Sequence, residues 1–298
     1  MLTQSQNRPE SDFVVDLLTT LRNERFSPQA WYHFLRRSWS MSWKTAHTNP
    51  QLRHSWTWVT TGIAILTVVL LLFIGRIEGV EAALRCTPIT ILCVAWQASD
   101  VFWHLGLNRR SQTGEMYQSI GWANIFTLLR GVGTAFLLGR YTGGLATPTT
   151  LLLVIFLLGV ITDILDGQIA RRTQTESKLG GMLDAETDFC QYLVIALLLL
   201  QNKLLPPWMM IVFLLRFCLP LLAALGSYFL LAQPVRIGST QWGKWTGIVQ
   251  GCYLLVLMLP RNLQEISHLL QTPLLIATLV LLIGAPIAQL LAHRSTNT

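Results

Sequence analysis

The sequence predicts an all-α, polytopic integral membrane protein. Of its 298 residues 52% are hydrophobic and only 12% charged, with a mean hydropathy of +0.46. Soluble domains carry about a quarter charged residues. The apolar residues come in runs of about twenty, the length at which a helix crosses a bilayer. In lipid such runs are helices, because the helix satisfies its own backbone. The net charge of +7 does not point to nucleic acid. Lys and Arg collect in cytoplasmic loops, where anionic lipid attracts them.

Residues 1–56 differ in kind and read as a cytoplasmic or interfacial arm. Ser11 is placed to cap a helix carrying Phe13, Val14, Leu17, Leu18 and Leu21 on one face. Ser27-Pro28 starts another, with Trp31, Phe34 and Leu35 on one side, then Arg36 and Arg37. Trp39, Trp43, Trp56 and Trp58 follow, and aromatic residues mixed with basic ones suit a membrane interface. The arm is either a membrane-surface or partner-binding element, or a plain tail before the first span.

Residues 57–110 hold two spanning segments. The first, 57–75, has no charge. The second, 86–105, contains Gln97, Asp100 and His104. The last two are four apart and read as a polar pair at the interface or, alternatively, a proton relay. Residues 115–295 hold six more, at about 121–138, 150–163, 184–200, 206–231, 245–259 and 274–292. Arg130 and Arg216 lie deep inside two of them, which directs them to a polar cavity and not to lipid. The cysteines Cys86, Cys93, Cys190, Cys218 and Cys252 show no metal or redox spacing and read as packing residues without a disulfide. The polar, acidic first twenty residues give no sign of a signal peptide.

Between the fourth and fifth spans the chain reads DILDGQIARRTQTESKLGGMLDAETD, from Asp163 to Asp188. Asp163 and Asp166 share a helix face, and so do Asp184 and Asp188. Carboxylates at the mouths of two membrane helices are costly and mark a function by default. If the two helices form a hairpin, the pairs converge. Hard oxygen donors suit Mg²⁺ or Mn²⁺, not zinc. Such cations neutralise a diphosphate during phosphoryl transfer. A solvated acidic loop, the bland alternative, leaves the glycines and the arginine unexplained.

The pattern D-x2-D-G-x2-A-R-x8-G-x3-D-x3-D is met in full by Asp163, Asp166, Gly167, Ala170, Arg171, Gly180, Asp184 and Asp188. It resembles the motif of the CDP-alcohol phosphatidyltransferase family, nearest to members like phosphatidylglycerophosphate synthase. Asn124, Thr127 and Arg130, in the order N-x2-T-x2-R, resemble the first core helix of that family. The resemblance covers about 115–295 and implies a six-helix transmembrane core, with the first two spans as additions. It also implies a homodimer.

By the same resemblance Asp163, Asp166 and Asp184 are metal ligands. Asp188 completes the metal site and takes the proton from the attacking hydroxyl. Asn124, Thr127, Arg130, Gly167, Ala170, Arg171 and Gly180 face the nucleotide and its diphosphate. Gly167 allows close backbone approach. Arg171 offers its planar fork to phosphate, or else anchors the cytoplasmic end as Arg172 does. The implied reaction moves a phosphatidyl group from CDP-diacylglycerol to a small polar alcohol, releasing CMP. Two alternatives stay open: transfer from CDP-choline or CDP-ethanolamine to diacylglycerol, and a scaffold with a dead site.

Lys178, Arg216, Arg236 and Lys244 are the candidate acceptor-binding residues. The stretch Gly243-Lys244-Trp245…Gln250 resembles G-K-x-K-T-x2-Q of phosphatidylglycerophosphate synthases, with Thr246 and Gly247 in place of the second Lys and the Thr. Glycerol 3-phosphate, an inositol phosphate, an uncharged alcohol and an amino alcohol all remain possible acceptors. With both termini cytoplasmic, eight spans put roughly three times as many Lys and Arg inside as outside. That places the aspartates on the cytoplasmic face.

Overall fold

The computed structural model describes residues 9–110, 113–231 and 241–295; at some helical positions, Arg216 and Lys244 among them, the side chain lies outside that description. Among the described residues ten α-helices follow one another: α1 (Pro9–Asn23), α2 (Pro28–Thr48), α3 (Pro50–Ile77), α4 (Val80–Trp103), α5 (Trp122–Thr142), α6 (Thr149–Thr173), α7 (Lys178–Gln201), α8 (Pro207–Leu231), α9 (Gln241–Leu257) and α10 (Gln264–Ser295). No strand occurs among the described residues. The helices α3 to α10 fall on the eight apolar runs. Of these, α3, α5, α6 and the Gln264–Leu282 part of α10 are long and apolar enough to cross a membrane. The chain is an all-α polytopic membrane protein.

Local chemistry sets the helix boundaries. Ser27 caps α2, accepting from the Ala30 amide at 3.1 Å, and Pro28 fills the first position, where no amide hydrogen is needed. Asn49 and Pro50 then turn the chain directly into α3. The start of α1 at Pro9 puts Ser11 inside its first turn, so Ser11 is not the cap. Gln174 ends α6 in the left-handed conformation (φ 53°), and Ser177 caps α7 by accepting from the Gly180 amide at 3.0 Å.

Helix α2 lies against the ends of α4 and α8. Trp31 and Phe34 pack on Phe229 near the end of α8, with Trp31 and Phe229 ring centres 5.3 Å apart. Further along α2, Ser42 donates to the Trp103 carbonyl at 2.6 Å, and Trp103 donates to Ser38 at 2.6 Å. The ends of α4 and α8 are therefore bridged by one helix.

The central helix is α5. It has α4 on one side and α6 and α7 on the other, and α6 and α7 pack far more along α5 than along each other. The α4–α5 seam is close because two glycines open it. A Cβ on Gly131 would lie 2.0 Å from Gln97, and one on Gly139 would lie 2.1 Å from Thr90 Oγ1 and 2.6 Å from the Cys86 carbonyl. Gln97 uses the space to donate to the Leu128 carbonyl at 3.2 Å. Membrane helices associate by such close packing and cross-helix hydrogen bonds, since lipid gives no hydrophobic drive. At the far end of α5, Arg140 is fully buried and pairs with Glu78 at 2.7 Å. It is therefore not a loop charge, as its place in the sequence suggests.

Candidate active site

The four motif aspartates come together around an arginine from a third helix. Asp163 and Asp166 lie near the end of α6, and Asp184 and Asp188 near the start of α7. Arg130 reaches them from α5. Its Nη1 donates to Asp163 Oδ1 and Asp188 Oδ1, both at 2.6 Å, and its Nη2 donates to Asp184 Oδ1 at 2.5 Å. Asp166 Oδ2 stands 3.8 Å from Nη2 and accepts from Thr127 Oγ1 at 2.8 Å. The convergence that the motif predicts is real, but it is organised by α5 more than by the α6–α7 hairpin.

Burial grades across the site. The Arg130 side chain is 2% exposed, while Asp163, Asp184 and Asp188 are 43%, 44% and 40% exposed. The guanidinium and the buried Asp166 form a floor, and the other three carboxylates form an open rim. Four carboxylates and one guanidinium leave the cluster strongly negative. One ligand oxygen from each of Asp163, Asp166 and Asp184 lies within 4.8 Å of the others, which suits a divalent ion bound by oxygen. The guanidinium already sits as a cation among these groups. The donor set therefore fits a hard divalent cation.

The other motif residues surround this point. Asn124 is buried, donates to the Ile120 carbonyl at 2.6 Å, and lies where a Cβ on Gly180 would meet its Oδ1 at 2.8 Å. Gly180 thus lets the start of α7 close onto α5. The side-chain atoms nearest to where a Cβ on Gly167 would be belong to the Arg171 guanidinium, the first at 3.2 Å. Arg171 is itself exposed, one turn further along α6, and Ala170 beside it is half-buried. Thr127 and Arg130 hold carboxylates, a role the motif alone does not reveal.

The acceptor candidates are not brought together. Lys178 is exposed at the first position of α7. Arg216 and Lys244 sit on α8 and α9 with side chains outside the described set, and Arg236 lies outside the described residues. Thr246 is buried, and the Gly247 carbonyl accepts from Tyr192 at 3.3 Å, so both departures from the G-K-x-K-T-x2-Q pattern lie where α9 meets the bundle.

Two polar features lie outside the motif. His104 Nδ1 lies 3.1 Å from Asp100 Oδ1, and nearby Glu186, on the side of α7 away from the aspartates, accepts from Trp96 at 3.4 Å. Gln191 is buried one turn below Asp188, its amide nitrogen filling the space that Gly159 leaves. The only sequence sign of Gln191 is a lone amide in an apolar run.

Residues 121–284, more than half of the chain, match the family model described as CDP-alcohol phosphatidyltransferase. The chain belongs to this family. The match opens at Gly121, just before α5, and takes in every motif aspartate, while α1 to α4 precede it. The chain is also similar to a CDP-diacylglycerol–glycerol-3-phosphate 3-phosphatidyltransferase of Cereibacter sphaeroides, 29% identical over 116 residues. That alignment covers 39% of this chain and 52% of the relative, so the chain spans about half the relative's length. No solved structure matches the chain.

Proposed function

We propose that the protein transfers a phosphatidyl group from CDP-diacylglycerol to the hydroxyl of a small polar alcohol and releases CMP. The observation that carries this reading is the convergence of Asp163, Asp166, Asp184 and Asp188, from two helices, into one half-open cluster with Asp166 at its buried side. Nothing structural demands four carboxylates at one point. A diphosphate donor with cations does.

Asp163, Asp166 and Asp184 would hold Mg²⁺ or Mn²⁺, which when bound neutralises the diphosphate and polarises the phosphorus under attack. Asp188 completes the rim and accepts the proton of the acceptor hydroxyl as its oxygen attacks phosphorus. The bond to CMP then breaks, and CMP leaves with the electron pair. Exposed Arg171, above the small surface of Gly167, is placed to take a donor phosphate through its planar fork. Gly180 and Asn124 fix the start of α7, and with it the register of Asp184 and Asp188.

Glycerol 3-phosphate is the first acceptor to test, because the similar Cereibacter protein is named for it. The basic residues Lys178, Arg216, Arg236 and Lys244 would meet the phosphate of such an acceptor. The rim faces the cytoplasm, both termini are cytoplasmic, and α1 and α2 form an arm at the membrane surface. In a homodimer the contact would avoid the α4–α5 seam, since α4 fills that face of α5.

The test is CMP release by purified protein in detergent with lipid, CDP-diacylglycerol and Mg²⁺ or Mn²⁺. The acceptor panel is glycerol 3-phosphate, inositol phosphate, inositol, serine and choline. Release with one acceptor supports the reading and names the substrate. Silence with all of them, together with turnover of CDP-choline and diacylglycerol, transfers the reading to the other branch of the family.

A further inference from the structure

We propose that Arg130 is a positioning residue for the cation site, a fixed counter-ion that holds the carboxylates converged while leaving their free oxygens to the cation. The inference rests on the proposed function, because it presumes that a cation binds there.

The contacts divide the oxygens. Arg130 takes Oδ1 of Asp163, Asp184 and Asp188. Thr127 holds Asp166 by Oδ2, which leaves its Oδ1. Each aspartate thus has one oxygen engaged from the protein side, and the half-exposed carboxylates of Asp163, Asp184 and Asp188 face outward.

Arg130 approaches the cluster from the protein side. Its side chain is 2% exposed, and its Nε is buried without a partner, so the stem lies inside the protein. The carboxylates are the exposed partners, so a cation meets them from the opposite side. A fork of two nitrogens is also what the geometry requires. Nη1 joins one aspartate of α6 to one of α7, and Nη2 takes the second aspartate of α7. A lysine supplies the same charge from a single point and cannot make this bridge. Without the guanidinium, four like charges repel each other and the rim spreads.

The test is Mn²⁺ binding to the purified full-length protein, read from the loss of the free Mn²⁺ signal in electron paramagnetic resonance. Arg130→Met is expected to weaken Mn²⁺ binding by about tenfold or more, the effect usual for a group that orients metal ligands. Arg130→Lys is expected to fall between Arg130→Met and the unaltered protein, and it gives the reading if Arg130→Met does not fold. In thermal unfolding without cation, Arg130→Met is expected to melt lower, and adding Asp188→Asn to recover part of the loss. Mn²⁺ binding by Arg130→Met as tight as in the unaltered protein, or tighter, would overturn the inference, because the guanidinium would then be a bystander or a competitor. If the unaltered protein itself binds no Mn²⁺, the cation reading fails first and this inference falls with it.

Discussion

Helix α5 carries two buried arginines ten residues apart, and their surroundings could hardly differ more. The Arg140 side chain is 1% exposed and all three of its nitrogens are used: Nε to Thr147 at 3.3 Å, Nη1 to Glu78 at 2.7 Å and Nη2 to the Ala146 carbonyl at 2.6 Å. One positive charge meets one negative charge, and the end of α3 is tied to α5. Arg130 is as deeply buried, yet its Nε has no partner and it faces four carboxylates. Satisfied pairs close a structure. A cluster with three negative charges to spare is costly unless something else binds there. The imbalance, more than burial, separates the candidate-site end of α5 from the Arg140 end.

The largest effect should come from altering that imbalance at its source. Asp184→Asn is expected to lower CMP release by about 100-fold or more, as for loss of a group that stabilises the transition state. Thermal unfolding without cation should stay where it was or rise, because one unbalanced charge is gone. Full activity in that variant would sink the site assignment. A chelator should likewise abolish CMP release, and added Mg²⁺ or Mn²⁺ should restore it. Turnover that survives chelation would leave the rim without its cation role.

At the Arg140 end the pattern should invert. Arg140→Met is expected to cost about 2 kcal/mol, less than the 3–5 of a fully buried pair. Its partner Glu78 is 36% exposed and finds water when released. The melting temperature should fall by several degrees. CMP release per folded molecule should be unchanged, and a selective loss of activity would dissolve the contrast between the two ends. Gly139→Ala tests the seam between them. Its Cβ would meet Thr90 and the Cys86 carbonyl, a collision with backbone that only helix movement relieves. Overpacking of this kind costs about 1–3 kcal/mol, seen again as lower thermal stability. Glu78→Gln should be the mildest, because the amide still accepts from Arg140.

The contrast also marks what could be read from the chain. Asp163, Asp166, Asp184 and Asp188 announce themselves, because carboxylates at helical spacing beside apolar runs are costly, and a solvated loop leaves the motif's glycines and arginine unexplained. Ser27-Pro28 announces a helix start for an equally local reason. Arg130 is legible only in part: its depth says that it faces something polar, and the motif suggests a nucleotide. Its actual partners lie 33 to 58 residues along the chain. Arg140 is misleading in sequence, since a basic residue at the end of an apolar run resembles a loop charge. Thr127, placed by resemblance near the diphosphate, turns out to hold Asp166.

By itself, then, the sequence determined the helices, the membrane, the acidic motif and the family, because each depends on residues close together along the chain. Hydrophobic length, capping chemistry and three- and four-residue spacing are local properties. Only the tertiary structure decided that α5 stands between α4 and the α6–α7 pair, and that Gly131 and Gly139 are spent on contacts within the chain. It alone decided which of two buried arginines meets one carboxylate and which meets four. Those choices depend on how side chains of distant segments fit and pair when helices close on each other. That fit of volume and charge is written in no single stretch of sequence.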